Sequence, residues 1–194
     1  MSFPPLVLAS SSRYRRELLE RLHLPFTTTA PAVDERPLAS EEPSALALRL
    51  ACAKAHAVRH AHPDALIIGS DQVAAVGATL LDKPGTHERA VEQLRMMRGK
   101  KVEFLTAVCL LNARSARERT AIVPVTVHMR ELDDAQIERY LRAEQPYDCA
   151  GSARIEGLGI ALVAALEGPD PTALIGLPLI ELCDMLRAEG IKVP

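Results

Sequence analysis

The chain has 194 residues, of which 48% are apolar and 25% charged, and its formal net charge is −2. That length suits one domain, 1–194, with room for two lobes and a sizeable core. The near-neutral charge argues against wholesale electrostatic capture of a nucleic-acid polymer.

Along the chain, short apolar runs alternate with helical patterns. Leu6–Ala9 reads as a buried strand and Arg13–Leu22 as a helix carrying Leu18, Leu19 and Leu22 on one side. Ala45–Ala61 reads as a second helix, with Leu46, Leu50, Ala53 and Ala57 at helical spacing. Ala65–Gly69 is a strand run. Thr86 can cap a helix reaching about Arg98, which Gly99 would close. Val102–Leu111 and Ala121–Met129 are apolar and partly β-branched, and they suggest an antiparallel pair around Asn112–Glu118. Asp133–Gln136 has the form of a capping box, opening a helix that stops before Pro146. Ile160–Val163 reads as a further strand. Pro178 suits the first turn of a last helix with Leu179, Leu182 and Leu186, closed by Gly190. The pattern predicts an α/β fold, a mixed sheet flanked by helices.

Aromatic residues make up only 3% and Trp is absent, so Leu, Ala, Val and Ile must fill the core. Cys52, Cys109, Cys149 and Cys183 are scattered without a Cys-x-x-Cys pair, which reads as buried thiols in a reducing compartment. Met1–Leu8 lacks the form of a signal peptide, and no apolar run is long enough to span a bilayer. A soluble, cytoplasmic protein with no membrane partner is the expectation.

Several segments could carry chemistry. After the first strand, Ser10, Ser11 and Ser12 precede Arg13, Arg15 and Arg16 at a helix start. Cations oppose the macrodipole there, which makes sense if a polyanion binds. A plain serine cap with solvated arginines is an equal alternative. Asp71 follows an apolar run and would stand at a strand's carboxyl end, where open α/β sheets bind ligands. It could hold a divalent ion or accept a proton from water, or simply cap the strand exit. Lys83 lies in the turn Asp82-Lys-Pro-Gly85 and could meet a phosphate, although solvated turn lysines are commoner. Asp34 and Glu35 form a loop carboxylate pair that could contribute to a metal site, although loop acids usually just face water. Cys149–Gly159 is crowded with small residues and contains Glu156 as an acceptor. His56, His60 and His62 imitate metal ligands, but Ala57 stands where a zinc-protease helix needs Glu, so a solvated face is favoured.

The order and spacing of these segments are more specific than any one of them. Leu8-Ala-Ser-Ser-Ser-Arg-Tyr-Arg-Arg-Glu-Leu-Leu19, Val33-Asp-Glu35, Gly69-Ser-Asp-Gln72, Asp82-Lys-Pro84, Tyr147-Asp-Cys-Ala-Gly-Ser152, Ile155-Glu-Gly-Leu-Gly159 and Gly176-Leu-Pro-Leu179 together resemble the Maf family of nucleotide pyrophosphatases over nearly the whole chain. Within it, the branch acting on 7-methyl-GTP is the most similar. The resemblance implies a Maf/Ham1-like (ITPase-like) mixed sheet in two lobes with a cleft. It implies hydrolysis between the α and β phosphates of a nucleoside triphosphate, a divalent cation (Mg²⁺, Mn²⁺ or Co²⁺), a small-molecule nucleotide substrate and a homodimer. It places Asp71 as proton acceptor and, with Glu35, at the metal. Ser10, Arg15, Lys54 and Lys83 would line the phosphates, and Tyr14, Gln72 and Glu156 would set base choice. Arg13 replaces the family's usual Pro, and Tyr14 stands where this branch is expected to carry Trp. A dTTP/UTP pyrophosphatase and a non-catalytic nucleotide-binding regulator of septum formation are the alternatives the resemblance leaves.

Overall fold

A computed structural model describes residues 4–193; Pro194 and Met1–Phe3, the start of the Met1–Leu8 segment read above, lie outside the described residues. In chain order the elements are β1 (Leu6–Leu8), α1 (Arg13–Glu20), β2 (Thr27–Thr28), α2 (Pro43–Ala57), β3 (Leu66–Val76), β4 (Thr79–Leu81), α3 (His87–Met97), β5 (Lys101–Asn112), β6 (Arg117–Met129), α4 (Asp134–Glu144), β7 (Val163–Glu167) and α5 (Leu179–Ala188). Among the described residues the strands form one mixed sheet, ordered β2-β1-β3-β5-β6-β7, with β4 paired to β3. β1 runs parallel to β2 and β3, whereas β3 with β4 and β6 with β7 are antiparallel. The expected α/β class is therefore what the chain adopts. No helix of the described residues is long and apolar enough to cross a membrane.

The chain divides into two compact units. The first comprises residues up to Gln72, Thr106–Val123 and the chain from Asp170 onward; the second comprises Val73–Leu105 and Pro124–Pro169. β3, β5 and β6 contribute residues to both.

In the first unit, α1 and α5 bury Leu18, Leu19, Leu182 and Leu186 with Leu6, Leu8, Leu66 and Ile68 of the strands. Each such side chain contributes roughly 1.5–3 kcal/mol when fully buried. The chain just before α5 supplies its N-terminal partners. Asp170 accepts from the Ile180 N–H (2.9 Å) and Thr172 Oγ1 from that of Leu179 (2.9 Å). A buried carboxylate is favourable at a helix start, where N–H groups are otherwise unpaired.

In the second unit, Thr86 caps α3 by accepting from the Arg89 N–H, and Gly99 closes the helix at φ +68. Asp133 and Gln136 form the expected reciprocal box at the start of α4 (2.7 and 2.8 Å). That helix ends at Gln145 in the left-handed region, ahead of Pro146.

Three expectations change. The helix expected over Ala45–Ala61 starts at Pro43 and ends at Ala57, followed by a 3₁₀ turn at Arg59–Ala61. Ile160–Val163 is not a strand. Leu158–Leu162 is a 3₁₀ turn, and β7 begins only at Val163. Both Gly157 and Gly159 donate back to the Arg154 carbonyl there (3.1 and 2.9 Å), bonds an extended chain cannot make. The strand expected over Ala65–Gly69 continues to Val76, so Asp71 lies inside β3 rather than at its carboxyl end.

Candidate active site

Side chains of a strand alternate between its faces. In β3, Leu66 and Ile68 join the core formed with α1 and α5. Gly69 faces α2, and a Cβ at this position would collide with the Ala51 carbonyl and come within 2.8 Å of the Ala55 nitrogen. Only glycine lets α2 approach this closely. Two residues on, Asp71 faces the same way and reaches α2, where Lys54 waits.

Lys54 is buried because it continues the inward stripe of Ala47, Leu50 and Ala51 on α2. Lys54 is 6% exposed and Asp71 8%. The Lys54 ammonium donates to Asp71 Oδ1 at 2.5 Å and lies 2.7 Å from Glu35 Oε1. One buried cation thus holds two carboxylates, one sequestered and one, Glu35, with its side chain 57% exposed. The loop pair seen in the sequence separates. Asp34 instead takes a two-pronged contact from the Arg36 guanidinium (2.9 and 2.6 Å), which holds its carboxyl below the usual range.

At the start of α1, Ser12 is the cap and accepts from the Arg15 N–H. Ser10 is buried and its hydroxyl accepts from the Ser12 N–H at 3.1 Å. The Ala9 N–H donates to the Ile68 carbonyl at 2.8 Å, which carries this turn alongside β3. Arg15 Nε donates to the Gly176 carbonyl at 2.8 Å, fixing the guanidinium. Burial pulls the Arg15 pKa down, and the charges of Asp71 and Glu35 act against that. Arg15, Lys54, Asp71 and Glu35 are therefore one electrostatic group. Tyr14 has the Arg13 guanidinium 4.7 Å from its ring centroid, and Arg13 Nη2 donates to its hydroxyl at 2.6 Å.

Gln72 faces away from Asp71. Its amide nitrogen lies 2.9 Å from Thr106 Oγ1 and the Ala173 carbonyl and 3.0 Å from the Leu174 carbonyl. Ser70, on the same side, has its hydroxyl 2.9 Å from the Gly176 carbonyl. Ser70, Thr106 and Asp170 thus brace the 170–176 segment, and sequence reading missed all three. Buried polar residues need distant partners, and no local spacing announces those.

Lys83 and Glu156 belong to the second unit. Lys83 is exposed beside Asp82, whose carboxylate is tied down by Arg89 (2.6 Å) and Gln93 (2.8 Å). Glu156 lies 3.5 Å from Arg154 Nε. The small residues before it serve packing within this unit. Ser152 donates to Gln93 Oε1 at 2.8 Å, and Gly151 leaves room for Leu81 and Met97. The histidine trio forms no ligand cluster. His56 bonds Glu118 (2.7 Å), His62 bonds Thr29 (2.9 Å) and His60 is exposed.

Glu35 and Asp71 offer hard oxygen donors of the kind Mg²⁺ and Mn²⁺ prefer, so the donor set fits a small divalent cation. Arg15 and Lys54 beside them suit an anionic ligand.

Comparison with known proteins finds relatives over nearly the whole chain. A 7-methyl-GTP pyrophosphatase of Thiobacillus denitrificans is 60% identical over 190 residues, covering 98% of this chain and 94% of its own. Proteins of the same name from Polaromonas sp. and Pseudomonas aeruginosa are 59% and 53% identical, covering 97% and 98% of this chain and 86% and 100% of their own. The family model described as Maf-like protein matches residues 5–189, and the chain belongs to that family.

Proposed function

We infer that the chain is a nucleotide pyrophosphatase that hydrolyses 7-methyl-GTP, or a closely related modified nucleotide, to the monophosphate and pyrophosphate. The observation carrying this reading is the buried Lys54 ammonium joining Asp71 and Glu35, with Arg15 electrostatically coupled to both. Relatives that match nearly end to end carry the name of this activity.

Hydrolysis of a phosphoanhydride needs an oriented water, a proton acceptor and cations that absorb developing charge. Asp71 is the acceptor, and Lys54 holds its Oδ1. Arg15, anchored through Nε on Gly176, presents its guanidinium to the phosphates, and Ser10 lines their path. Lys83 is a further cation suited to phosphate. Glu35 and Asp71 would hold a divalent cation, which when bound supplies charge neutralisation on phosphate oxygens. Tyr14 stacks on the base, and its attraction to the positive ring of 7-methylguanine is worth about 0.5–2 kcal/mol. Glu156 accepts from the guanine N1 and N2 edge, which pyrimidines lack. Gln72 acts indirectly by holding the Ala173 and Leu174 carbonyls.

The test is pyrophosphate release from a panel of 7-methyl-GTP, GTP, dTTP and UTP with Mg²⁺, Mn²⁺ or Co²⁺. Highest kcat/KM on 7-methyl-GTP, abolished by EDTA, is expected. Preference for dTTP or UTP would reassign the base site, and binding without turnover of any nucleotide would make the chain a nucleotide-binding regulator.

A further inference from the structure

The first unit contains a second group of metal-ligand side chains that the proposed reaction does not use. The Cys52 and Cys109 sulfurs and a Glu118 carboxylate oxygen all lie within 4.8 Å of one another. His56 stands beside them, its Nε2 2.7 Å from Glu118 Oε1. All four cysteines are free thiols. We propose that Cys52, Cys109, Glu118 and His56 form a binding site for a soft divalent cation of the zinc class.

The arrangement follows from the secondary structure. Cys52 and His56 are four residues apart on α2, so they occupy one face of the helix. Cys109 comes from β5 and Glu118 from the neighbouring β6. Two ligands from a helix and two from adjacent strands can surround one ion from different directions. A tetrahedral zinc draws two thiolates to about 3.8 Å of each other, so the sulfurs have at most about 1 Å to close. Cys109 is fully buried, Cys52 partly buried, and Glu118 and His56 are exposed, which leaves a solvent approach. Thiolate and imidazole select Zn²⁺ or Co²⁺ over Mg²⁺, whereas the Glu35/Asp71 pair offers oxygen only. Occupancy would fasten α2 to the sheet, and α2 also carries Lys54.

The test uses fully reduced protein in excess Mg²⁺, titrated with Co²⁺. One equivalent is expected to produce thiolate-to-cobalt charge transfer in the near ultraviolet and the strong visible bands of tetrahedral cobalt, both removed by Zn²⁺. Cys52→Ser should lose most of the charge-transfer intensity, His56→Ala should weaken binding with the thiolate band retained, and Asp71→Asn should leave the band unchanged. Zn²⁺ should raise the thermal midpoint of wild type and not of Cys52→Ser. Weak octahedral bands without charge transfer would mean that cobalt sits on oxygen donors, and would overturn the proposal. So would a charge-transfer band of full intensity in Cys52→Ser.

Discussion

Replacing Lys54 with Met keeps the aliphatic stem that packs in α2 and removes only the ammonium. Asp71 then keeps a buried carboxylate without the partner that sits 2.5 Å away. Breaking a buried ion pair from one side costs about 3–5 kcal/mol, because the remaining charge is uncompensated. The Glu35 contact adds little, since that side chain is 57% exposed and such pairs contribute at most about 1 kcal/mol. Arg15 stays close enough to offset part of the loss. The expected cost is therefore about 3 kcal/mol, a drop in Tm of roughly 6–12 °C for a chain of this size. Urea denaturation followed by circular dichroism measures it. Adding Asp71→Asn removes the stranded charge, so the double variant should recover about 1–2 kcal/mol. A Lys54→Met protein within about 0.5 kcal/mol of wild type, or a double variant less stable than the single one, would refute the buried pair.

Gly69→Ala should lose about 1–3 kcal/mol in the same urea assay, because a methyl group meets the α2 backbone at Ala51; wild-type stability would show that α2 is not seated on β3. Arg13→Ala uncovers the Tyr14 ring, so KM for 7-methyl-GTP should fall about two- to fivefold; a higher KM would instead place Arg13 among the phosphate ligands. The Glu189 side chain is largely covered, and desolvation pushes its carboxyl up, but hydrogen bonds from Arg117, Asn112 and Arg119 outweigh this and leave it lowered. A carboxyl lowered in the folded state stabilises above its unfolded value near 4.3, and that stability is lost as pH falls through the folded value. Thermal melts of Glu189→Gln should therefore show a flatter decline below about pH 4.3 than wild type; an unchanged slope would mean that Glu189 does not drive it.

Local chemistry made some elements legible. Thr86, Gly99 and the Asp133–Gln136 box act on their own helix ends, and all three behave as their residue types suggest. β3 was read too short because Ser70, Asp71 and Gln72 interrupt its apolar run. Their polar groups are satisfied by Gly176, Lys54 and Ala173, partners far away in sequence. β2 and β4 are too short to leave a periodic signal. Ile160–Val163 had strand composition, yet the glycines before it favoured turn bonds to Arg154. At the candidate site, local reading suggested Asp71 and Glu35, and Lys54 entered only through the family resemblance. That one buried ammonium joins them depends on the close seating of α2 over Gly69. Gln72, expected to help set base choice, has its amide nitrogen against the Thr106 hydroxyl and the Ala173 and Leu174 carbonyls, partners that no local spacing announces.

The role of Asp71 as proton acceptor is measured by the rate of pyrophosphate release from 7-methyl-GTP by Asp71→Asn, with circular dichroism verifying the fold. The kcat of Asp71→Asn should fall by roughly 10²–10⁴, as expected when a proton acceptor is removed. A folded Asp71→Asn protein that hydrolyses 7-methyl-GTP at the wild-type rate would contradict it.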